Sequence, residues 1–272
     1  MAANRVLAGA SGYAFKEWQG SFYPDKIKAE DMLAWYAARL PTVEINNTFY
    51  RMPKPAVLEN WAQATPPEFR FAIKASRRIT HDARIKADAA DSVAYLYRML
   101  ASLPGKLGAV LFQFPQWFVI SKKSKAYIDE VVERLPDFRV AVEFRHKSWM
   151  EERNAEETLS FLEERNLPFV CVDMPQGFDS SIPPIAAATA DDLAMIRFHG
   201  RDRDVWERKG IPASERFRYD YKRDELEEWV PKVEALAAEA RETHVLMNNC
   251  YQDFAVRSAR ELGDLLDLEL PE

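Results

Sequence analysis

Eight short apolar runs, separated by helical patterns, constrain the fold of this chain more than any other feature of its sequence. Each run is rich in aliphatic or aromatic residues and is bounded by turn-forming residues, which is typical of buried strands. The runs occupy residues 6–10, 42–46, 70–75, 107–114, 139–145, 168–173, 193–200 and 244–249. The chain is therefore predicted to form eight strands.

Helical periodicity fills most of the intervals between these strands. The clearest example is 88–103, in which Val93, Leu96 and Leu100 recur at three- and four-residue spacing before Pro104 and Gly105 end the pattern. Further helices are predicted near 29–40, 56–64, 121–134, 155–165, 224–241 and 252–267. Pro231 lies inside the 224–241 pattern, so that helix is expected to begin late or to kink. Residues 174–192 show no convincing helical pattern.

Alternation of eight strands with helices over 272 residues predicts a (β/α)₈ TIM barrel. A doubly wound open sheet is the alternative, but it usually has only five or six strands. We expect a single domain spanning residues 1–272, with one helix replaced by an extended loop between strands six and seven.

The connections indicate which end of this barrel carries function. Helix-to-strand links are short, whereas the strand-to-helix links 11–28, 75–87 and 200–223 are long. Long loops are thus concentrated at the carboxyl ends of the strands, where barrel enzymes build their active sites.

Composition narrows the partners and the compartment. A net charge of −6 and a pI near 5.5 disfavour nucleic acid as a partner. No segment approaches 18 uninterrupted apolar residues, and the first residues lack a secretion signal, so no membrane contact and a cytoplasmic location are expected. Cys171 and Cys250 lie in apolar strand patterns and are predicted to be free thiols.

Polar side chains share one parity of several strands and cluster near the strand ends. Because alternate residues share a face and the bulky apolar parity must face the helices, the polar parity is predicted to point into the barrel. The resulting ring at the carboxyl-end mouth contains Glu44, Asn46, Lys74, Gln113, Glu143, Arg145, Asp173, Arg197, His199 and Asn248. The ring predicts a ligand site, because strongly interacting titratable groups cluster at functional sites. A purely structural network of buried ion pairs is the alternative.

Several motifs, in order along the chain, resemble those of domain-of-unknown-function family 72, the YecE-like proteins. They are "ASGYAFKEWQGSFYP" (10–24), "TVEINNTFYRMPKP" (42–55), "FAIKASRRITH" (71–81), "LGAVLFQFP" (107–115), "VEFRHKSW" (142–149), "CVDMP" (171–175), "IRFHGR" (196–201) and "MNN" (247–249). The resemblance implies a TIM barrel and no established activity. The sequence departs from the family pattern at Met247, where an aromatic residue is expected, and at Ser258, where Asn is usual.

The ring favours acid–base chemistry on a small polar or anionic molecule. Arginine and lysine side chains of the ring can bind a carboxylate or phosphate, while Glu143, Glu44 or His199 moves a proton. Glu143 is the first candidate because its place inside the strand end favours a raised pKa, and a salt bridge from Glu143 to Arg197 or Lys74 is its structural alternative. Schiff-base chemistry at Lys74 is disfavoured, because neighbouring carboxylates are expected to raise the pKa of its amine.

Other readings of the ring stay open. A metal-dependent hydrolase or isomerase would use the same carboxylates and imidazoles, but the adjacent arginines compete for them and no metal-ligand motif is present. We therefore predict no metal and no cofactor. A non-catalytic small-molecule-binding protein is a further alternative, and the sequence decides neither between enzyme and binding protein nor the oligomeric state.

Aromatic residues near the mouth are predicted to contact the ligand. Tyr13 and Trp18 belong to the long loop after strand one, which is read either as packing against the barrel or as a wall over the mouth. Tyr50 follows strand two and is predicted to lie at the rim.

Overall fold

The computed structural model describes residues 4–82 and 89–271 of the chain. It contains eight strands, all parallel, in the order β5-β4-β3-β2-β1-β8-β7-β6. They are β1 (Arg5–Ala10), β2 (Thr42–Ile45), β3 (Arg70–Lys74), β4 (Leu107–Gln113), β5 (Val140–Glu143), β6 (Val170–Asp173), β7 (Ala194–Phe198) and β8 (Glu242–Met247). The eight predicted strands are thus confirmed.

The seam between β5 and β6 closes the sheet into a barrel. Val142 forms a parallel bridge to Phe169, and its backbone N–H donates to the carbonyl of Pro168 over 2.9 Å. With helices packed around this sheet, the predicted (β/α)₈ architecture is confirmed.

The helices of the described residues lie at the predicted positions, except the two short helices Arg77–Thr80 and Ala213–Arg216, which were not predicted. They are α1 (Met32–Ala37), α2 (Pro55–Gln63), α3 (Arg77–Thr80), α4 (Ala89–Leu100), α5 (Lys122–Val132), α6 (Glu152–Glu163), α7 (Ala213–Arg216), α8 (Arg223–Glu227), α9 (Val230–Glu239) and α10 (Phe254–Leu265). Residues 83–87 of the long link after β3, and residue 88, at which a helix was predicted to start, lie outside the described residues.

Two local predictions concern the crossovers around β7. The predicted helix 224–241 is divided into α8 and α9, and Pro231 lies in the first turn of α9, where its missing N–H costs no hydrogen bond. Residues 174–193, between β6 and β7, contain no helix. The predicted replacement of one helix by an extended loop is confirmed.

The amino-terminal end of the barrel is filled by side chains. Glu242 forms ion pairs with Arg70 and Arg139, at 3.3 and 3.2 Å, and His244 is fully buried beside it. A Cβ at Gly108 would lie 2.3 Å from Cε1 of His244, so glycine is needed for this side chain to fit. The cavity therefore lies at the opposite end, where the strands terminate.

Within the described ranges, no helix is long and apolar enough to span a bilayer. Cys171 and Cys250 are both free thiols, as predicted.

Candidate functional site

Strand register places most of the predicted polar parity inside the barrel. Gln113 of β4 pairs in register with Glu143 of β5. On the inner face, Gln113 follows Leu111 along β4, and Glu143 follows Ala141 along β5. Arg197 on β7 lies between Val172 of β6 and Leu246 of β8. Side chains at the same register of neighbouring strands point the same way, so these residues converge from different sides of the barrel.

Arg197 joins two carboxylates across the interior. Its Nε and Nη2 donate to Oε2 and Oε1 of Glu44, at 2.7 and 2.6 Å, and its Nη1 donates to Oε2 of Glu143 at 2.5 Å. Glu44 and Glu143 are 0% exposed and Arg197 is 1% exposed. The salt bridge considered as the structural alternative for Glu143 is therefore present.

Arg145 connects this buried group to the surface of the mouth. Its Nε donates to Oε1 of Glu143, and its Nη2 lies 3.0 Å from Nε2 of His199. The amide of Asn248 lies 3.0 Å from Nδ1 of His199, while Nε2 lies 3.3 Å from Oε1 of Glu143. A guanidinium nitrogen can only donate, so Nε2 of a neutral His199 accepts from Arg145, and the ring proton lies on Nδ1, facing the amide of Asn248.

Electrostatics fix the protonation states in this group. Burial alone would raise the pKa of Glu143, but the guanidinium groups of Arg145 and Arg197 outweigh it and hold the pKa well below its usual range. Burial and the charge of Arg145 lower the pKa of His199 well below its usual range. At neutral pH, Glu143 is thus ionised and His199 is neutral.

Lys74 closes β3 in a different setting. Its Nζ donates to Oε1 of Gln113 at 2.9 Å and lies 4.7 Å from the ring centroid of Phe49. Burial and the charge of Arg197 lower the pKa of Lys74 to about 8, and the attraction of Glu44 and Glu143 only partly offsets this. The carboxylates do raise this pKa, as expected, but burial and the charges of Arg197 and Arg145 outweigh them, so the expected net rise is wrong.

A cavity of about 730 Å³ opens above these residues at the mouth. Six residues predicted for the site line it: Asn46, Tyr50, Lys74, Gln113, Arg145 and Asn248. A second cavity, of about 360 Å³, adjoins it and shares Gln113, Arg145 and Phe217 with it. The structure thus brings six of the ten predicted binding residues together at the cavity, while Glu44, Glu143, Arg197 and His199 lie beneath it rather than on its wall.

Two oxygens on one side of the cavity have no hydrogen-bond partner. They are Oγ of Ser11, after β1, and Oδ1 of Asn46, after β2. The Asn46 amide is oriented by its own Nδ2, which donates to the carbonyl of Ser11 at 3.4 Å. Their residues line the cavity, but the two oxygens themselves have almost no accessible surface, so each is an unsatisfied buried acceptor beside the cavity, and buried polar atoms are usually satisfied.

Asp173 was predicted to join the ring, and the structure places it elsewhere. It aligns with Phe198 on the outer face of the sheet, where it accepts hydrogen bonds from Tyr221, Trp229 and Arg201. The predicted parity of strand six is therefore wrong. The apolar residue Val172 faces the interior beside Arg197, while the donors on the outer side compensate the buried carboxylate.

The aromatic loop after β1 lines the cavity, but not with the residues predicted. Trp18 is fully buried and stacks with Tyr23, whose hydroxyl donates to the carbonyl of Tyr13. Neither Tyr13 nor Trp18 contributes to the wall. The same loop contributes Phe15, Glu17, Gln19, Gly20 and Ser21 instead.

Sequence reasoning missed several other wall residues. They include Ser11, Phe49, Phe217, Cys250 and Tyr251, none of which gave a recognisable signal of a site role. Phe217 lies in the long link 200–223 and contributes to both cavities. A loop side chain has no strand parity, so its direction cannot be inferred from spacing.

The carboxylates beneath the cavity are occupied by guanidinium groups. Across residues 4–82 and 89–271, no three His, Cys, Asp or Glu side chains converge in an arrangement that could hold a metal ion.

Comparison with known proteins places this geometry in a family. The family model described as "Protein of unknown function DUF72" matches residues 7–272. The UPF0759 protein YunF of Bacillus subtilis is 31% identical, over 97% of this chain and 95% of its own length. Crystal structures of DUF72 family proteins from Thermotoga maritima (TM1631) and Enterococcus faecalis (EF0366) superpose with TM-scores of 0.85 and 0.87. Their identities are 32% and 25%, and at least 97% of each chain is covered.

Proposed function

The chain belongs to the DUF72 family of TIM-barrel proteins, and from the geometry of its mouth cavity we propose that it binds a small, hydroxylated anion there and supports acid–base chemistry on it. The observation that carries the proposal is that two cationic residues, Lys74 and Arg145, and two residues with unpartnered oxygens, Ser11 and Asn46, meet at one cavity. Its wall also contains the carboxylates Glu17, Glu215 and Asp253.

Lys74 and Arg145 support the binding of an anion. Arg197 and Arg145 together balance the charges of Glu44 and Glu143. The charge of a protonated Lys74 is therefore not neutralised by this group of ion pairs. Among the residues that the structure describes, no carboxylate oxygen lies within 4.0 Å of Nζ of Lys74. A carboxylate or phosphate would supply the missing partner and form charge-assisted hydrogen bonds with Lys74 and Arg145.

The two unpartnered oxygens support hydroxyl groups on the same molecule. Oδ1 of Asn46 can only accept a hydrogen bond, and Oγ of Ser11 can accept or donate. A ligand hydroxyl satisfies both kinds of group. A site built to bind a hydroxyl discriminates strongly against analogues that lack it, because its polar atoms would be left unpaired.

In this proposal we assign indirect roles to Glu44, Glu143 and His199. Their side chains do not line the cavity, so they hold Arg145 and Arg197 in place rather than touch the ligand. Their predicted acid–base roles stay predictions. Proton transfer at the ligand itself would use a group on the wall, and the pKa of Lys74, lowered to about 8, suits that task.

Thermal unfolding in the presence of chosen anions tests the proposal. We expect glycerate to raise the melting temperature more than phosphate, and glycerol to leave it unchanged, because a ligand that binds only the folded state stabilises it by mass action. Lys74→Met and Arg145→Met should lose the effect, whereas Arg145→Lys should keep part of it. Ser11→Ala combined with Asn46→Leu should remove the advantage of glycerate over phosphate.

Arg134→Met is the matched control, because Arg134 forms an exposed ion pair with Glu130 on the surface of the barrel. This variant should respond to glycerate as the unaltered protein does. The proposal fails if hydroxy acids, sugar acids and sugar phosphates all leave the melting temperature unchanged. It also fails if Lys74→Met and Arg145→Met respond like the control.

A further inference from the structure

Lys74 differs from other lysines of the chain in the nature of its partner. Lys147 pairs with Asp179 at 2.7 Å, and Lys125 pairs with Glu157 at 2.7 Å. Lys106 donates to backbone carbonyls of the α2–β3 region. Lys74 instead faces a neutral amide oxygen and the apolar ring of Phe49. Neither partner favours the charged ammonium as a carboxylate does.

The amide that contacts Lys74 is fixed in orientation. Nε2 of Gln113 donates to the carbonyl of Phe114 at 3.1 Å, which turns Oε1 toward Nζ of Lys74. A neutral amine can donate one N–H to this oxygen and keep its lone pair free. Because Lys74 lines the mouth cavity, a bound molecule can reach that lone pair.

The charges around Lys74 come from several strands. Glu44 on β2, Glu143 and Arg145 at the end of β5, Arg197 on β7 and His81 after α3 act on it. The carboxylates are paired with the guanidinium groups, so burial dominates and lowers the pKa of Lys74 to about 8. At pH 7 about a tenth of the amine is then neutral, against less than about one part in a thousand for an ordinary lysine.

We propose that Lys74 is a nucleophile that forms an imine with the carbonyl group of a small anionic substrate held in the mouth cavity. This inference deepens the proposed function and rests on it. It assigns the substrate to the aldehydes and keto acids, and it assigns Arg145 to the anionic group of that substrate. Lys74 is then a catalytic residue, and Gln113 is a positioning residue that orients the amine.

Imine formation begins with addition of the neutral amine to the carbonyl group. The lone pair of Nζ forms a bond to the carbonyl carbon, the C=O π bond breaks, and a proton moves from nitrogen to oxygen to give a carbinolamine. A further proton from solvent converts the hydroxyl to water, which leaves as the C=N⁺ bond forms. An amine, a carbonyl compound and one proton thus give an iminium ion and water, with no oxidation or reduction.

Reductive trapping tests this inference on the full-length protein. The protein is incubated at pH 7 with glyoxylate, pyruvate or glyceraldehyde 3-phosphate and sodium cyanoborohydride, and the modified lysine is located by peptide mass spectrometry. We expect one adduct, at Lys74, forming at least about tenfold faster than any adduct at Lys147 or Lys125. Lys147→Met should be labelled at Lys74 like the unaltered protein.

Two variants separate chemistry from folding and binding. Lys74→Met should give no fast adduct. Lys74→Arg keeps a cation on the wall and should still be stabilised by glycerate, yet it cannot form an imine. Retention of glycerate binding in Lys74→Arg shows that the loss of trapping is a loss of the amine, not of the fold.

The outcomes distinguish this inference from the proposed function. If glycerate stabilises the protein but trapping at Lys74 is no faster than at Lys147, the imine is wrong and anion binding stands. If neither glycerate nor any carbonyl probe acts at the cavity, both are wrong. Equal labelling of exposed lysines, without preference for Lys74, also overturns the inference.

Discussion

Arg197 and Glu44, 153 residues apart in the sequence, form a two-point ion pair inside the barrel with Nε–Oε2 and Nη2–Oε1 distances of 2.7 and 2.6 Å. They lie on β7 and β2, which are separated in the sheet by β8 and β1. The pair therefore spans the interior. A third contact, from Arg197 to Glu143 on β5, makes the guanidinium the common partner of two buried carboxylates.

Removal of this guanidinium should strongly destabilise the fold. In Arg197→Met, Glu44 loses the guanidinium that binds both its oxygens and Glu143 loses one partner, at a cost of about 3–5 kcal/mol in the free energy of unfolding. Chemical denaturation measures this cost. Arg134→Met removes an exposed pair and should cost no more than about 0.5 kcal/mol. A similar small loss in both variants would contradict the structural role of Arg197.

Asp173 should behave as a structural residue and not as a site residue. Asp173→Asn weakens the hydrogen bonds from Arg201 and leaves one donor of the outer cluster without an acceptor, so we expect a loss of about 1.5–3 kcal/mol in stability. Stabilisation by glycerate and labelling at Lys74 should be unchanged. If a folded Asp173→Asn variant lost glycerate binding, Asp173 would have to be a residue of the binding site.

Stability should fall as the pH is lowered through the ordinary range of histidine. Burial lowers the pKa of both His199 and His244 in the folded chain, so protons bind first to the unfolded state. The free energy of unfolding then decreases as pH falls below about 6.5, by up to about 1.4 kcal/mol per pH unit for each ring.

Denaturation between pH 7.5 and 5 measures this slope, and His199→Gln should reduce it. The pKa of Glu143 is shifted in the same direction, but from a lower ordinary value, so Glu143 acts at lower pH. Its pKa is held below the usual range, so its contribution is complete near neutrality and is lost only in stronger acid. A flat stability profile between pH 7.5 and 5 in the unaltered protein would contradict the neutral, buried histidines.

Gln113 should control the reactivity of Lys74. Gln113→Glu places a carboxylate where Oε1 now accepts from Nζ at 2.9 Å, and this charge favours the ammonium form. Trapping by glyoxylate should slow at pH 7, and its rise with pH, centred near pH 8 in the unaltered protein, should shift to higher pH. Gln113→Leu is the uncharged comparison. An unshifted pH profile in Gln113→Glu would show that Gln113 does not position the amine.

Much of the fold could be predicted because it depends on local patterns. The apolar runs predicted strands β1 to β8, and the helical spacing of Val93, Leu96 and Leu100 predicted α4. The parity of β2 and β5 also placed Glu44 and Glu143 inside the barrel. These inferences succeeded because side-chain alternation along a strand is fixed by backbone geometry.

The site was less predictable because it depends on contacts between distant segments. The parity of β6 looked the same as that of β5, yet Asp173 points outward, since Tyr221, Trp229 and Arg201 come from later segments to compensate its charge. From the sequence, Trp18 was as plausible a wall residue as the other aromatic residues of its loop. In the structure, its ring packs against Phe15 and Tyr23 instead.

The sequence by itself determined the number of strands, their parallel order with intervening helices, and the end of the barrel at which polar residues gather. Only the tertiary structure decided which charges meet. Arg197 neutralises the carboxylates of β2 and β5, and this leaves Lys74 facing an amide rather than an acid. The pKa of a side chain depends on neighbours a few ångströms away in space, and those neighbours are set by the closure of the barrel and not by their order along the chain.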